Sequence, residues 1–175
     1  MKREFSSLTP QEALHVAIFI EERNAELYRE FSELFAEFKD PDSLEVAQVF
    51  WEMANEELSH GSRLQELYFE RYGTQACVVT DEDIREMIEV PRLQESDLFA
   101  MARTEGALSP RRAALQVALD AEKTAQHYYA QLGERTRDRA LRAVYAELAG
   151  FETDHTVLLE RKLQEAKRAV DGEAA

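Results

Sequence analysis

The chain has 175 residues, with 21 Lys and Arg against 35 Asp and Glu, giving a formal charge of −14. That acidity argues against nucleic acid or an anionic membrane as a partner, because both are held through Lys/Arg patches; it fits a soluble protein that attracts cations. Only 6 Gly and 4 Pro are present, a helical composition, and no run approaches the ~20 apolar residues a membrane span needs.

The first predicted helix opens at "LTPQEAL". Thr9 is its cap, Pro10 its first residue, and Glu12 completes a capping box. It runs to Phe38. The second is expected from about Asp42 to Arg71, closed by Gly73. Residues 73–109 form a long crossover. Within it "TDEDIREMIEV" reads as a short helix capped by Thr80 and limited by Pro91, and "SDLFAMARTEG" as another. The third long helix starts at "LSPRR", with Ser109 as cap and Pro110 at the first position, and ends near Gly133. The fourth is expected over about 137–170, with a frayed tail at 171–175.

Short links make antiparallel hairpins, and a long link lets the second hairpin begin at the far end of the first. The expected fold is therefore all-α: one domain, residues 1–175, built as a four-helix bundle of two hairpins joined by a crossover. The hairpins also match each other. "ALHVAIFIEERNAELY" (13–28) aligns without gaps on "ALQVALDAEKTAQHYY" (114–129), and "FWEMANEELSHGSRL" (50–64) on "YAELAGFETDHTVLL" (145–159). Recurring polar residues in these frames point to an internal duplication.

Each helix carries an apolar stripe at spacings of three and four. The stripes are Leu14, Ile18, Glu21, Ala25, Tyr28; then Val46, Phe50, Met53, Glu57, His60, Leu64; then Leu115, Ala118, Glu122, Ala125, Tyr129; then Leu141, Tyr145, Leu148, Glu152, His155, Leu159. Each is interrupted near its middle by Glu or Glu-x-x-His. An unpaired buried carboxylate is costly, and four converging would repel one another. A central cation resolves both problems, and carboxylates and imidazoles suit iron, manganese or zinc. Glu and His three apart share a helix face, so Glu21, Glu57, His60, Glu122, Glu152 and His155 make the ligand set of a di-iron or di-manganese bundle.

The chain supplies its own controls. Glu12 and His15 share the Glu-x-x-His spacing but read as surface, Glu12 being a cap. Glu22 and Glu56 flank the stripes, and the duplicated frame selects Glu21, which pairs with Glu122, over Glu22, which pairs with Lys123. His127 reads as exposed, and Trp51 as packing rather than electron transfer. Tyr28 and Tyr129 read equally well as core tyrosines or as hydrogen-bond partners of ligating carboxylates. Phe19, Phe31, Phe38, Val49 and Phe69 lie off the stripes, available to a partner chain or the crossover.

At "EERNAELY", "EELSH", "EKTAQHYY" and "ETDH" the sequence resembles the rubrerythrin branch of the ferritin-like superfamily, over nearly its whole length. The resemblance implies a ferritin-like bundle with two iron ions, Glu57 and Glu152 bridging them, Glu21 with His60 on one and Glu122 with His155 on the other. It implies a homodimer as well. Two departures stand out. Rubrerythrins proper carry an appended rubredoxin with paired Cys-x-x-Cys motifs, which the single Cys77 cannot build, so an electron donor would be a separate protein. They also tend to have a further glutamate one turn along helix three, where this chain has Ala125. A closer likeness is to stand-alone rubrerythrin-like domains and to those fused to a membrane iron transporter.

The expected function is di-iron oxidoreductase chemistry on peroxide or dioxygen, of the peroxidase or ferroxidase type. Oxygenation of a small substrate at the same centre is one alternative. A metal-stabilised helical interaction module without redox activity is another. The lone cysteine fits a reducing compartment and the N-terminus lacks a signal peptide's apolar stretch, so a cytoplasmic location is expected.

Overall fold

The computed structural model describes residues 8–80, 83–84 and 108–173. They form four long helices: α1 (Pro10–Phe38), α2 (Pro41–Tyr72), α3 (Leu108–Arg135) and α4 (Arg139–Glu173). This is the four-helix bundle that the stripes call for, of the ferritin-like kind that the resemblance implies. Among the described residues, no helix is long and apolar enough to cross a membrane.

Local chemistry fixes the helix ends. Thr9 Oγ1 accepts from the Glu12 backbone N–H, and the Glu12 carboxylate accepts from the Thr9 N–H at 2.9 Å, so the capping box is complete. Glu12 is buried in that role, not on the surface, and its neighbour His15 is half-buried beside Tyr68. Lys39, at φ 59°, reverses the chain, and Asp40 caps α2, accepting from the Ser43 N–H, so that the helix begins at Pro41, one residue before the expected start. Gly73, also at φ 59°, ends α2 with its N–H donating to Phe69; the left-handed φ explains the glycine.

Sequence reading placed the start of α4 at about residue 137 and missed its cap. Asp138 holds that place, its carboxylate accepting from the Ala140 and Leu141 N–H groups. The helix then runs through Glu173, past the expected frayed start at residue 171; 174–175 lie outside the described residues. Likewise α3 begins at Leu108, two residues before Pro110, and the Ser109 side chain lies outside the described residues. Of the crossover, Thr80 does cap a turn, with its Oγ1 accepting from the Asp83 N–H. The "SDLFAMARTEG" helix and Pro91 lie outside the described residues.

Two ion pairs show how the hairpins align. Arg111, at the start of α3, donates to Asp40 at 2.9 Å, beside the first hairpin's turn. Arg71, at the end of α2, donates to Asp138 at 2.6 Å, beside the second hairpin's turn. The end of α2 and the start of α3 therefore lie at opposite ends of the bundle, about 45 Å apart at 1.5 Å per residue. In each pair the carboxylate caps the second helix of its own hairpin.

The core divides into two apolar clusters. One holds Leu14, Ile18, Leu132 and Leu148 with Tyr128, Tyr129 and Tyr145. The other holds Leu115, Leu159 and Met53 with Phe31, Phe35, Phe50 and Tyr28. Phe19 and Phe31 are buried in the bundle, whereas Phe69 is 64% exposed. Trp51 is 52% exposed rather than packed. Between the two clusters, at mid-height on all four helices, lies a layer of ionisable side chains.

Candidate metal centre

Every helix contributes to that layer through its inward stripe. Glu21 comes from α1, Glu57 and His60 from α2, Glu122 from α3, Glu152 and His155 from α4. All four glutamates are fully buried, and His155 is 4% exposed. Gly61 follows His60 where a Cβ would stand 3.4 Å from the Glu21 Cβ, at van der Waals contact, so α1 and α2 run close together at the layer.

The six side chains form two overlapping groups: Glu21, Glu57, His60 and Glu152, and Glu57, Glu122, Glu152 and His155. Within each, one ligand atom per residue lies within 4.8 Å of the others. Donors sharing an ion at about 2.1 Å stand up to ~4 Å apart, so a small contraction suffices. Glu57 and Glu152 belong to both groups. The imidazole Nδ1 atoms face inward. His60 Nδ1 lies 3.3 Å from Glu21 and 3.9 Å from Glu57, and His155 Nδ1 lies 3.0 Å from Glu57 and 3.4 Å from Glu122.

None of those approaches has hydrogen-bond alignment. Glu21 Oε2, both oxygens of Glu57 and of Glu152, Glu122 Oε2 and both Nδ1 atoms are buried without a hydrogen-bond partner. Buried polar atoms are rarely left so, because each costs about 1–3 kcal/mol. An entire ring of them, all oxygen and imidazole donors, is what divalent iron, manganese or zinc would satisfy.

The electrostatics of the metal-free ring are those of a site holding protons in place of a cation. Burial, helped by the Glu57 charge, pushes Glu21 up to about 8. Burial and the neighbouring Glu122 raise Glu152 well above the carboxylate range. Burial acts to raise Glu57 too, but contacts with His155 and His60 outweigh it and hold Glu57 down near 2. Burial opposes charge on the imidazoles, yet Glu21 and Glu57 raise His60 to about 9, and Glu122 and Glu57 raise His155 to about 11.

The two tyrosines cross between hairpins. Tyr28 of α1 donates to Glu122 Oε1 at 2.5 Å, and Tyr129 of α3 donates to Glu21 Oε1. Both rings are fully buried, so each hydroxyl has the carboxylate partner that burial demands. Sequence left that choice open because the partner lies on another helix. Ala125 is buried and offers no ligand atom, and His127 is exposed.

Two residues escaped the sequence reading. Asn24, one turn beyond Glu21, is buried with Nδ2 unpartnered; Ala25 satisfied the apolar spacing and masked it. Glu56 was read as polar flank, and it is exposed, but its carboxylate meets His155 Nε2 at 2.7 Å. No feature of α2 alone signals that contact.

Above the imidazoles lies a cavity of about 420 Å³, lined by Glu56, Ser59, His60, Phe151, Asp154 and His155. In the duplicated frame these are three matched pairs: Glu56 with Phe151, Ser59 with Asp154, His60 with His155. A larger groove of about 520 Å³ between α1 and α2, lined in part by Phe19, Trp51 and Leu58, includes none of the six ring residues.

Comparison with known proteins gives the same fold. The rubrerythrin family model matches residues 12–98. A hypothetical protein from Pyrococcus furiosus is 22% identical, with 94% of this chain and 96% of that chain covered and a TM-score of 0.68. An uncharacterized conserved protein from Magnetospirillum magnetotacticum is 22% identical over 90% of this chain and 95% of that chain, with a TM-score of 0.70. No curated protein matches the chain significantly.

Proposed function

We propose, for a chain that belongs to the rubrerythrin family, that the buried ring holds two iron ions and serves as an oxidoreductase centre for peroxide or dioxygen. The observation that carries this is the ring of buried, unpartnered oxygen and nitrogen atoms on all four helices. Glu57 and Glu152 would bridge the ions, Glu21 with His60 would complete one, and Glu122 with His155 the other. Iron supplies the electron transfer; manganese or zinc would fit the same donors.

The chain's own residues do the rest. The two flanking clusters exclude water, which strengthens each carboxylate's hold on a cation. Tyr129 and Tyr28 fix one oxygen of Glu21 and one of Glu122, leaving the other oxygen of each to point into the ring. Protons held by His60, His155 and Glu21 leave when metal enters. The cavity over the imidazoles is lined by two carboxylates, a serine and a single aromatic ring, a setting for a cation or a small polar oxidant more than for an apolar substrate. Ala125 in place of a further carboxylate favours ferroxidase or iron-handling chemistry over peroxidase chemistry. The reaction would run in the cytoplasm, with a separate protein as electron donor.

An anaerobic ferrous titration of metal-free protein, followed by one equivalent of peroxide and then by a dioxygen comparison, tests the reading. Saturation near two irons per chain with prompt oxidation is the expected result. Absence of saturable binding would remove it. Binding without oxidation would leave a structural ion in a helical interaction module.

A further inference from the structure

The two imidazoles of the ring have different outer surroundings, and the duplication makes the difference interpretable. The residue before each shared glutamate is Glu56 on α2 and Phe151 on α4. Each faces the histidine of the opposite helix. Phe151 stacks on His60, with ring centroids 4.6 Å apart and planes 14° from parallel. Glu56 instead meets His155 Nε2 at 2.7 Å. Among the described residues, no carboxylate meets the outer nitrogen of His60. One half of a duplicated site therefore has an acidic outer contact where the other has an apolar one.

A neutral imidazole carries one proton. With Nε2–H donating to Glu56, the proton is fixed on the outer nitrogen and the Nδ1 lone pair is turned to Glu57 and Glu122. A carboxylate in this position also makes the ring nitrogen a better donor to a metal, and losing such a contact typically costs 10–100-fold in affinity. Stacking on Phe151 fixes the plane of His60 but leaves its proton free to sit on either nitrogen.

We propose that Glu56 is a positioning residue that makes the two metal subsites unequal: it sets the tautomer and donor strength of His155, and so governs the ion held by His155 and Glu122 while leaving the ion held by His60 and Glu21 nearly untouched. This rests on the metal centre proposed above. Glu56 is 61% exposed at its side chain, so its replacement removes little packing.

The test is titration of metal-free protein with cobalt(II), read by its absorption and by calorimetry, together with ¹⁵N NMR of the histidine rings in the zinc-loaded protein. Glu56→Ala should weaken one equivalent by roughly 10–100-fold and leave the other within about twofold. It should also shift the His155 Nε2–H resonance and leave His60 unchanged. Glu56→Gln, which keeps an acceptor oxygen, should recover most of the affinity and the resonance. Phe151→Glu should strengthen the other equivalent. Equal weakening of both equivalents, or no change in either, would overturn the proposal while leaving the metal centre intact. Failure of the unmodified protein to bind metal would overturn both.

Discussion

The two halves of the ionisable layer agree inside and differ outside. On one side stand Glu21, His60 and the Tyr129 hydroxyl, on the other Glu122, His155 and the Tyr28 hydroxyl, each tyrosine supplied by the opposite hairpin. Around them the match fails: Phe151 against Glu56, Asn24 against Ala125, Gly61 against Thr156 in the duplicated frame. The glutamates and histidines share one demand, since each leaves a buried oxygen or nitrogen without a hydrogen-bond partner. Residues one step out answer to local packing and solvent, and these have diverged. A duplicated site can thus keep its donor set while its halves acquire different affinities.

The largest effects should come from residues common to both halves. Glu152→Ala should lower bound metal from two ions per chain to fewer than one, measured by elemental analysis after ferrous loading. If one full equivalent survived, Glu152 would not be shared. Next come the residues of a single half: Glu21→Gln and Glu122→Gln should each abolish one equivalent, and the double variant both. Loss of both ions in either single variant would mean that the halves do not bind independently.

The pH response separates the metal-free from the loaded state. In the folded chain His60 and His155 keep protons to about 9 and 11, and Glu21 keeps one to about 8. Unfolded, the imidazoles release theirs near 6.5 and the carboxyl near 4.5. The folded state therefore binds more protons across this window, and its stability falls as pH rises. Glu57, held near 2, acts oppositely, but its contribution is complete above about 4.5. Thermal melts of metal-free protein should therefore decline from about pH 6 to 9. Metal-loaded protein should show a flatter profile, and loading at pH 7 should release protons. A flat metal-free profile would argue that the ring is not protonated.

The smallest effects belong to the tyrosines. Tyr28→Phe and Tyr129→Phe each strand one carboxylate oxygen, at a cost of about 1–2 kcal/mol to the metal-free fold. Each should weaken metal binding in one half by roughly tenfold. Denaturant melts and the cobalt titration read the two quantities. Equal costs would show that the halves are alike at this level, so that inequality begins at Glu56.

Much of this was legible in sequence because periodicity is a property of one helix at a time. Thr9 with Glu12, and the left-handed turn at Gly73, mark helix ends from within a few residues. The spacing from Leu14 through Tyr28 and from Leu141 through Leu159 marks the inward face, and an ionisable residue on that face is conspicuous. Glu21, Glu57, His60, Glu122, Glu152 and His155 stand out in this way from single helices, without any contact between helices. Asp138 was missed as a cap because Arg137 and Arg139 continue the helical composition around it.

What meets those residues was decided by the tertiary structure alone. Tyr28 reaches Glu122 across 94 residues of sequence, and Glu56 reaches His155 across 99. A stripe specifies which way a side chain turns from its own axis, but not the height at which a neighbouring helix passes or the side chain it presents there. Hairpin register and the pairing of Asp40 with Arg111 and Asp138 with Arg71 set those heights. They bring Phe151 to one histidine and Glu56 to the other, a difference that neither helix encodes by itself.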